Sequence, residues 1–271
     1  MLKNITLGQY YPGHSPVHRM DPRMKIYLTI AYIVAVFLVK DLLGYALAFL
    51  FLLFMARVAQ INLGFLMRGI KALRVIVAFT FIINLFFSTG DTPLLSWGIL
   101  RITREGLQNA VYFSLRLIFL VMGTSMLTLT TSPVVLTDGL ERMMRPLARV
   151  HFPAHELAMM MTIALRFIPT LLEEADKIMK AQMARGADFE SGNLLARARA
   201  MVPLLVPLFV GAFRRATELA MAMEARCYRG GAHRTRMREL GYTRLDFAAL
   251  GIMAAFIALI VAQGAFVHVG L

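Results

Sequence analysis

Long apolar stretches separated by short polar segments are the dominant pattern along this 271-residue chain. A helix needs roughly 20 predominantly apolar residues to cross a bilayer. Five stretches approach this length, and they cover residues 24–39, 42–59, 70–88, 107–130 and 246–269. The pattern therefore predicts an all-α, multi-pass helical membrane protein with about five transmembrane helices.

The first two apolar stretches are short, and they meet at the sequence KDLLG. We predict that they form a tight hairpin, and that the long side chains of the flanking Lys25 and Lys40 reach toward the lipid head groups. A single long tilted helix is the alternative that the lengths of the two stretches allow.

The 114 residues from 132 to 245 carry seventeen Lys or Arg residues against eleven acidic ones. Cytoplasmic loops of membrane proteins carry such an excess of Lys and Arg. We therefore divide the chain into a transmembrane region with four helices (1–131), cytoplasmic helices (132–245) and a final transmembrane helix (246–271). The N-terminus is also expected in the cytoplasm, because the first residues do not form a cleavable signal.

The cytoplasmic region is predicted to be helical, because its apolar residues recur at intervals of three and four. One long amphipathic helix is expected over residues 154–185, with Pro169 inside it. Another is expected over 208–227, after Pro203 and Pro207 interrupt the preceding helix.

The composition agrees with a membrane protein, since 58% of the residues are apolar and 17% are charged. Soluble proteins have about half apolar and a quarter charged residues. The net charge of +13 would suggest nucleic acid for a soluble protein. Here the cytoplasmic bias for Lys and Arg explains it, so membrane lipids and not nucleic acid are expected as contacts. The single cysteine, Cys227, cannot form a disulfide within the chain.

The sequence A-x-x-A-R occurs twice, at residues 181–185 and 222–226, each time at the end of a predicted helix. One interpretation is that the arginine only offsets the negative end of the helix dipole, which is worth about 0.3–1 kcal/mol. The other is that a smooth alanine face with one long cation at its tip fits a groove on another protein. The repetition favours the second interpretation. The two helix ends, which carry Arg185 and Arg226, would then enter a partner together, and we call them the two prongs.

These two phrases and three further segments closely resemble the transmembrane T component, EcfT, of energy-coupling factor transporters. The three segments are YYPGHSPVHRMDPRMKI (10–26), TLTTSPVVLTDGLE (128–141) and HELAMMMTIALRFIPTLLEEADKIMKAQMARGADF (155–189). The resemblance covers nearly the whole chain. It is closest to the shared type that serves several substrate-binding S components, as opposed to a dedicated cobalt, nickel or biotin version.

The resemblance implies a transmembrane bundle with long cytoplasmic coupling helices, whose ends dock into grooves of two ABC-type ATPase subunits (EcfA-like and EcfA′-like). The two signatures of the family map onto Ala184, Arg185 and Gly186, and onto Ala225, Arg226 and Cys227. Cys227 stands where glycine or another small residue is usual, and cysteine enters left-handed conformations less readily than glycine. The resemblance also implies a bacterial cytoplasmic membrane and uptake of a vitamin or other micronutrient through one or several S components.

Active transport needs an energy source, but the chain has no G-x-x-x-x-G-K-[ST] phosphate-binding loop. ATP and Mg²⁺ are therefore expected on the partner ATPase subunits, and no cofactor is expected on this chain. The alternative to a transporter subunit is a non-transport membrane scaffold that recruits ATPases.

A catalytic role is not predicted for this chain. The sequence HELAMM has Met159 where the zinc motif H-E-x-x-H requires its second histidine. Glu173, Glu174 and Asp176 are attributed to pairs with lysines of the same helix, such as Lys180. We therefore predict a non-enzymatic subunit without catalytic residues.

No metal site is predicted either. His14, His18 and Asp21 could be considered as a set of metal ligands, but the surrounding prolines and the nearby membrane favour an ordered interfacial segment. In that segment Arg19 and Arg23 are expected to contact lipid head groups.

Methionines cluster on the predicted cytoplasmic helices, and they are Met159, Met160, Met161, Met179, Met183, Met221 and Met223. Adaptable packing is one explanation, because methionine fills irregular gaps. The other is a surface that repacks against several unlike S components.

Two costly polar residues, Asn84 and Arg116, lie inside predicted transmembrane helices. We assign Arg116 a structural bond to backbone carbonyls or to Asn84, in preference to a substrate path.

Overall fold

The computed structural model describes residues 10–87, 93–97, 100–146, 152–187, 189, 193–230 and 240–269. Apart from one short hairpin, the regular structure of these residues is helical, which confirms the predicted all-α fold class. In chain order the helices are α1 (Pro16–Arg19), α2 (Pro22–Leu38), α3 (Leu42–Ala59), α4 (Leu63–Phe87), α5 (Arg104–Thr130), α6 (Pro133–Met144), α7 (Ala154–Ala184), α8 (Leu194–Ala225) and α9 (Arg244–Val269). One short antiparallel hairpin of β1 (Pro93–Trp97) and β2 (Leu100–Thr103) lies between α4 and α5.

α2 and α3 are separate helices with the break at residues 39–41, as predicted, so the alternative of one long helix is wrong. The helix boundaries correct the sequence prediction at two other places. α4 begins at Leu63, seven residues earlier than predicted. α8 runs without interruption through Pro203 and Pro207. These prolines are four residues apart and remove hydrogen bonds from one face only, so the other faces carry the helix through.

The chain divides into two compact units, which are described separately. The bundle unit comprises the described residues within 10–139 and 240–269, and the α7–α8 unit comprises those within 140–230.

Aromatic side chains fill the centre of the bundle unit, where α2, α3, α5 and α9 meet. The rings of Phe51 and Phe256 stack with their centroids 4.0 Å apart, and Tyr32 stacks on both. The hydroxyl of Tyr32 donates to the carbonyl oxygen of Phe119 at 3.1 Å. The ring of Tyr32 also lies against Gly123, where a Cβ atom would come within 2.0 Å of the ring. Only glycine therefore lets α5 approach α2 this closely.

Six of the described helices are long and apolar enough to cross a membrane, and they are α3, α4, α5, α7, α8 and α9. The 17-residue α2, which the sequence predicted as a span, is not among them. α7 and α8 are among them, although the sequence predicted them to be cytoplasmic. They are the least apolar of the six. Length and composition therefore support a multi-pass membrane protein, and the cytoplasmic position of α7 and α8 stays a prediction.

Candidate functional site

The last turn of α7 is closed by backbone amides that bond back to the helix. The amide of Gly186 donates to the carbonyl oxygen of Met183 at 3.0 Å, and the amide of Ala187 donates to that of Gln182 at 3.0 Å. Gly186 has a φ angle of 89°, in the left-handed region. This combination is the Schellman motif, a common way to end a helix.

The last turn of α8 repeats the same motif forty-one residues later. The amide of Cys227 donates to the carbonyl oxygen of Glu224 at 2.8 Å, and the amide of Tyr228 donates to that of Met223 at 3.0 Å. Cys227 occupies the left-handed position with a φ angle of 55°. Cysteine in place of glycine therefore leaves the backbone geometry of the second signature the same as that of the first.

The residues of both signatures are exposed, and they are Ala184, Arg185, Gly186, Ala225, Arg226 and Cys227. Neither Arg185 nor Arg226 forms an ion pair or a side-chain hydrogen bond with another described residue. Both guanidinium groups are thus placed at helix ends with their donors directed to solvent. Such a group can form several charge-assisted hydrogen bonds with carboxylates or carbonyls of a partner.

One ion pair joins the two helices that carry the signatures. Nη2 of Arg215 on α8 lies 2.7 Å from Oε2 of Glu174 on α7, and both side chains are about 70% buried. The attribution of Glu174 to a lysine of its own helix is therefore wrong. The pair of Asp176 with Lys180 is confirmed, at 3.2 Å.

An apolar groove of about 240 Å³ lies between α7 and α8. Its lining includes Ile163, Phe167 and Leu171 from α7, and Leu219, Ala220 and Met223 from α8. Glu174 and Arg215 pair near the end of this groove, which places the charged contact next to an otherwise apolar surface.

The methionines singled out from the sequence lie at the surface of α7 and α8. Met160, Met161, Met183 and Met221 are 55%, 51%, 49% and 58% exposed. Met159, Met179 and Met223 are partly buried. None of the seven belongs to the buried core of the described residues. Their contact with an S component stays a prediction.

The two intramembrane polar residues bond to backbone carbonyls. Nη2 of Arg116 donates to the carbonyl oxygen of Val39 at 3.3 Å, and the guanidinium lies 5.5 Å from the ring centres of Phe37 and Phe113. The side-chain amide of Asn84 donates to a carbonyl of its own helix. These contacts hold Arg116 at the junction of α2 and α3.

The structure also contains a buried lysine that the sequence analysis placed elsewhere. The side chain of Lys25 is nearly buried, with 6% of the residue exposed. Its Nζ donates to the carbonyl oxygens of Thr130 at 3.0 Å and His18 at 3.3 Å, and to Oγ1 of Thr131 at 3.2 Å. The prediction that Lys25 reaches lipid head groups is therefore wrong, because three acceptors from other segments satisfy the ammonium inside the protein. Lys40 is exposed.

The fully buried carboxylate of Asp246 lies beside this lysine. Its Oδ1 accepts the amide of Asp21 at 2.9 Å, and its Oδ2 accepts the amide and the hydroxyl of Thr243 at 2.6 and 2.8 Å. Arg23 donates to both carboxylate oxygens of Asp21, at 3.0 and 2.8 Å, and lies over the ring of Tyr242. These contacts hold most of the Arg23 side chain within the protein, and its contact with head groups stays a prediction.

These side chains form one group, which we call the polar cluster. Its members are Asp21, Arg23, Lys25, Thr130, Thr131, Thr243 and Asp246. Sequence reasoning missed it, although an ionisable residue inside an apolar stretch is a reason to search for a partner. Lys25 at the start of the first stretch and Asp246 at the start of the last were that signal.

His18 uses both ring nitrogens within the protein. Its Nδ1 lies 2.6 Å from Oγ of Ser15, and its Nε2 lies 3.0 Å from the carbonyl oxygen of Tyr11. Partial burial lowers the pKa of His18. Over the described ranges, no three His, Cys, Asp or Glu side chains are close enough to hold a metal ion.

The fold and the membrane-length helices define a multi-pass helical membrane protein. Residues 13–237 match the family model of CbiQ, described as a cobalt transport protein. A relative from Thermosediminibacter oceani is 57% identical over 248 residues, which are 92% of this chain and 93% of the relative. A relative from Bacillus subtilis is 45% identical over 260 residues, covering 96% and 98%. Both are named energy-coupling factor transporter transmembrane protein EcfT. This chain therefore belongs to the EcfT family of energy-coupling factor transporter components, as its resemblance indicated.

Proposed function

We propose that this chain couples ATP hydrolysis by two ABC-type ATPase subunits to an S component that imports a vitamin or other micronutrient. The family supports the transporter assignment in general. The finer proposal concerns what the chain does within the complex: each arginine-tipped helix end docks into one ATPase subunit. ATP and Mg²⁺ would bind to those subunits, and this chain would have no catalytic residue.

The proposal rests on one observation, which is that the two helix ends have the same local structure. Two Schellman caps with the same hydrogen bonds present Arg185 and Arg226 to solvent from one unit of the chain. Two equal prongs suit a partner that offers two similar grooves, as a pair of related ATPase subunits does. Closure of such a pair would displace both prongs together, and stiff helices would carry the displacement toward the membrane.

The orientation in the membrane is part of the same proposal. The ATPase subunits are cytoplasmic proteins, so the ends of α7 and α8 must face the cytoplasm of the bacterial cell. The excess of Lys and Arg in residues 132–245 supports this orientation. The exposed methionines of α7 and α8 would face one or several S components.

Charge reversal at the two prongs tests the proposal. We expect Arg185→Glu and Arg226→Glu each to weaken assembly with the ATPase subunits, because a buried carboxylate would replace the cation in its groove. The double variant should lose ATP-dependent uptake in proteoliposomes that contain the ATPase and S subunits. Arg214→Glu is the matched control, because Arg214 is an exposed arginine of α8 that lies away from the prong.

Two results would contradict the proposal in different ways. Assembly and uptake by the double variant at wild-type levels would show that the prongs do not dock. A wild-type complex that assembles and hydrolyses ATP, but takes up no substrate with any S component, would favour the membrane scaffold instead.

A further inference from the structure

Among the described residues, two segments of the polar cluster lie near the positions where the chain passes between its two units. Thr130 and Thr131 end α5 shortly before the chain enters the α7–α8 unit at Leu140. Thr243 and Asp246 begin α9 shortly after it returns at Leu240. Both of these connections therefore adjoin a segment that contributes residues to this cluster.

The start of α2 holds both connections. Lys25 donates to Thr130 and Thr131 on the outgoing segment. Four residues earlier, the amide of Asp21 donates to Asp246 on the returning segment. Because Asp21 and Lys25 lie one helical turn apart, the two segments are fixed to adjacent turns of a single helix.

Stability alone does not account for buried charges at this position. Removing a lysine and a carboxylate from water costs several kcal/mol for each ion, and apolar replacements of similar volume are often neutral or stabilising. Hydrogen bonds also fix the relative position of the segments that they join, because each donor reaches its acceptor in one arrangement only. Here they fix the positions of three segments that are distant in sequence, as the separations of 105 and 225 residues show.

We propose that the polar cluster is a clamp that locks the outgoing and returning segments to α2, so that a displacement of the α7–α8 unit moves the bundle helices as one body. Its residues are positioning residues for energy coupling. This inference rests on the proposed function for its role, but the clamp itself can be tested on the isolated chain.

Hydrogen–deuterium exchange of the purified chain in nanodiscs tests the clamp. Asp246→Asn keeps the shape of the side chain but leaves one acceptor oxygen for the three donors of Asp246. We expect faster amide exchange in all three segments together, residues 11–25, 128–132 and 240–247. Thr131→Val, which removes one acceptor of Lys25 without changing volume, should act in the same direction. Faster exchange confined to the substituted segment would overturn the clamp.

Tyr32→Phe is the matched control for these variants. It also deletes one buried hydrogen bond to a backbone carbonyl of the bundle unit, but this bond lies away from both connections. Exchange in the three segments should stay at the wild-type level. If Asp246→Asn does not fold, Thr131→Val decides the test, because it loses only one hydroxyl group.

Uptake per ATP hydrolysed tests the role in coupling. In the reconstituted complex, we expect Thr131→Val and Asp246→Asn to keep ATP hydrolysis while uptake per ATP falls by about fivefold or more, the scale of a typical coupling free energy. Tyr32→Phe should keep the wild-type ratio. If amide exchange rises in all three segments but uptake per ATP hydrolysed stays at the wild-type value, the coupling role is overturned. Failure of the wild-type complex to import anything would instead overturn the proposed function and leave the exchange result standing.

Discussion

The guanidinium of Arg215 on α8 and the carboxylate of Glu174 on α7 pair at 2.7 Å. Glu174 lies eleven residues before Arg185, and Arg215 lies eleven residues before Arg226. The pair thus has the same 41-residue offset as the signature itself. The ion pair therefore joins two positions that lie equally far before the two signature arginines.

This relationship sets the lengths of the two prongs. With a rise of about 1.5 Å per residue, each arginine lies about 16 Å along its helix from the ion pair. The groove residues of α7 precede Glu174, whereas most of those of α8 follow Arg215, so the two helices run in opposite directions past each other. The two signature arginines therefore lie at about equal distances along their helices from the ion pair.

The first prediction concerns the charge complementarity of this contact. Glu174→Arg should destabilise the α7–α8 unit by about 1–2 kcal/mol, since two partly buried guanidinium groups would then oppose each other. Arg215→Glu should do the same with two carboxylates, and the double exchange should recover most of the loss. The free energy of unfolding in detergent and a spin-label distance between Cys227 and Ala181→Cys would measure both effects. No other cysteine of the chain interferes with the labels.

Arg214→Ala is the control for this prediction. Arg214 pairs with Glu218 on its own helix, and its side chain is 81% exposed. Such surface pairs contribute about 0.3–0.5 kcal/mol, so stability and label distance should change little. If the double variant Glu174→Arg/Arg215→Glu recovers none of the unfolding free energy that the single variants lose, the result would argue against the Glu174–Arg215 contact.

The second prediction concerns the left-handed residues of the two caps. Gly186→Ala should destabilise the end of α7 by about 1 kcal/mol, because nothing lies within 4 Å of the added Cβ and only the backbone conformation opposes it. Cys227→Gly should stabilise the end of α8. Cys227→Val should destabilise its helix end more than either of the other two substitutions. Amide exchange at Ala187 and Tyr228 reports each cap directly. Equal exchange in all variants would contradict the role of backbone conformation.

Local patterns predicted the regular part of this structure. α3 runs over Leu42–Ala59, as its apolar stretch predicted, and the end of α7 lies at the residue before the predicted arginine. Such predictions succeed because a membrane helix must satisfy its own backbone and a glycine-type cap has a fixed sequence position.

The polar contacts between segments could not be predicted in the same way. The sequence near Lys25 gives no sign of its acceptor at Thr130, which lies 105 residues away. The sequence near Glu174 likewise favours a lysine of its own helix, because pairing between helices has no local pattern. A single sequence shows the cost of burying these charges, but the partners that offset the cost depend on the tertiary fold.

The third prediction concerns the close approach of α5 to α2. Gly123→Ala would place a Cβ atom 2.0 Å from the ring of Tyr32, whose position is fixed by stacking and by its bond to Phe119. We expect destabilisation by about 1–3 kcal/mol, the usual cost of overpacking a core. Gly251→Ala in α9 is the control, because its Cβ meets nothing within 4 Å. Thermal unfolding of both variants would measure the difference, and equal midpoints would contradict the packing argument.

The last prediction concerns the exposed methionines of α7 and α8. If Met160 and Met221 face S components, Met160→Val and Met221→Val should weaken some S components far more than others, because a stiff β-branched side chain repacks less well than methionine. Competition among S components for one reconstituted complex would measure this selectivity. Met126→Val in the buried core is the control, and it should lower stability without changing the preference among partners. A uniform loss at Met160 and Met221 would instead support adaptable packing within the chain.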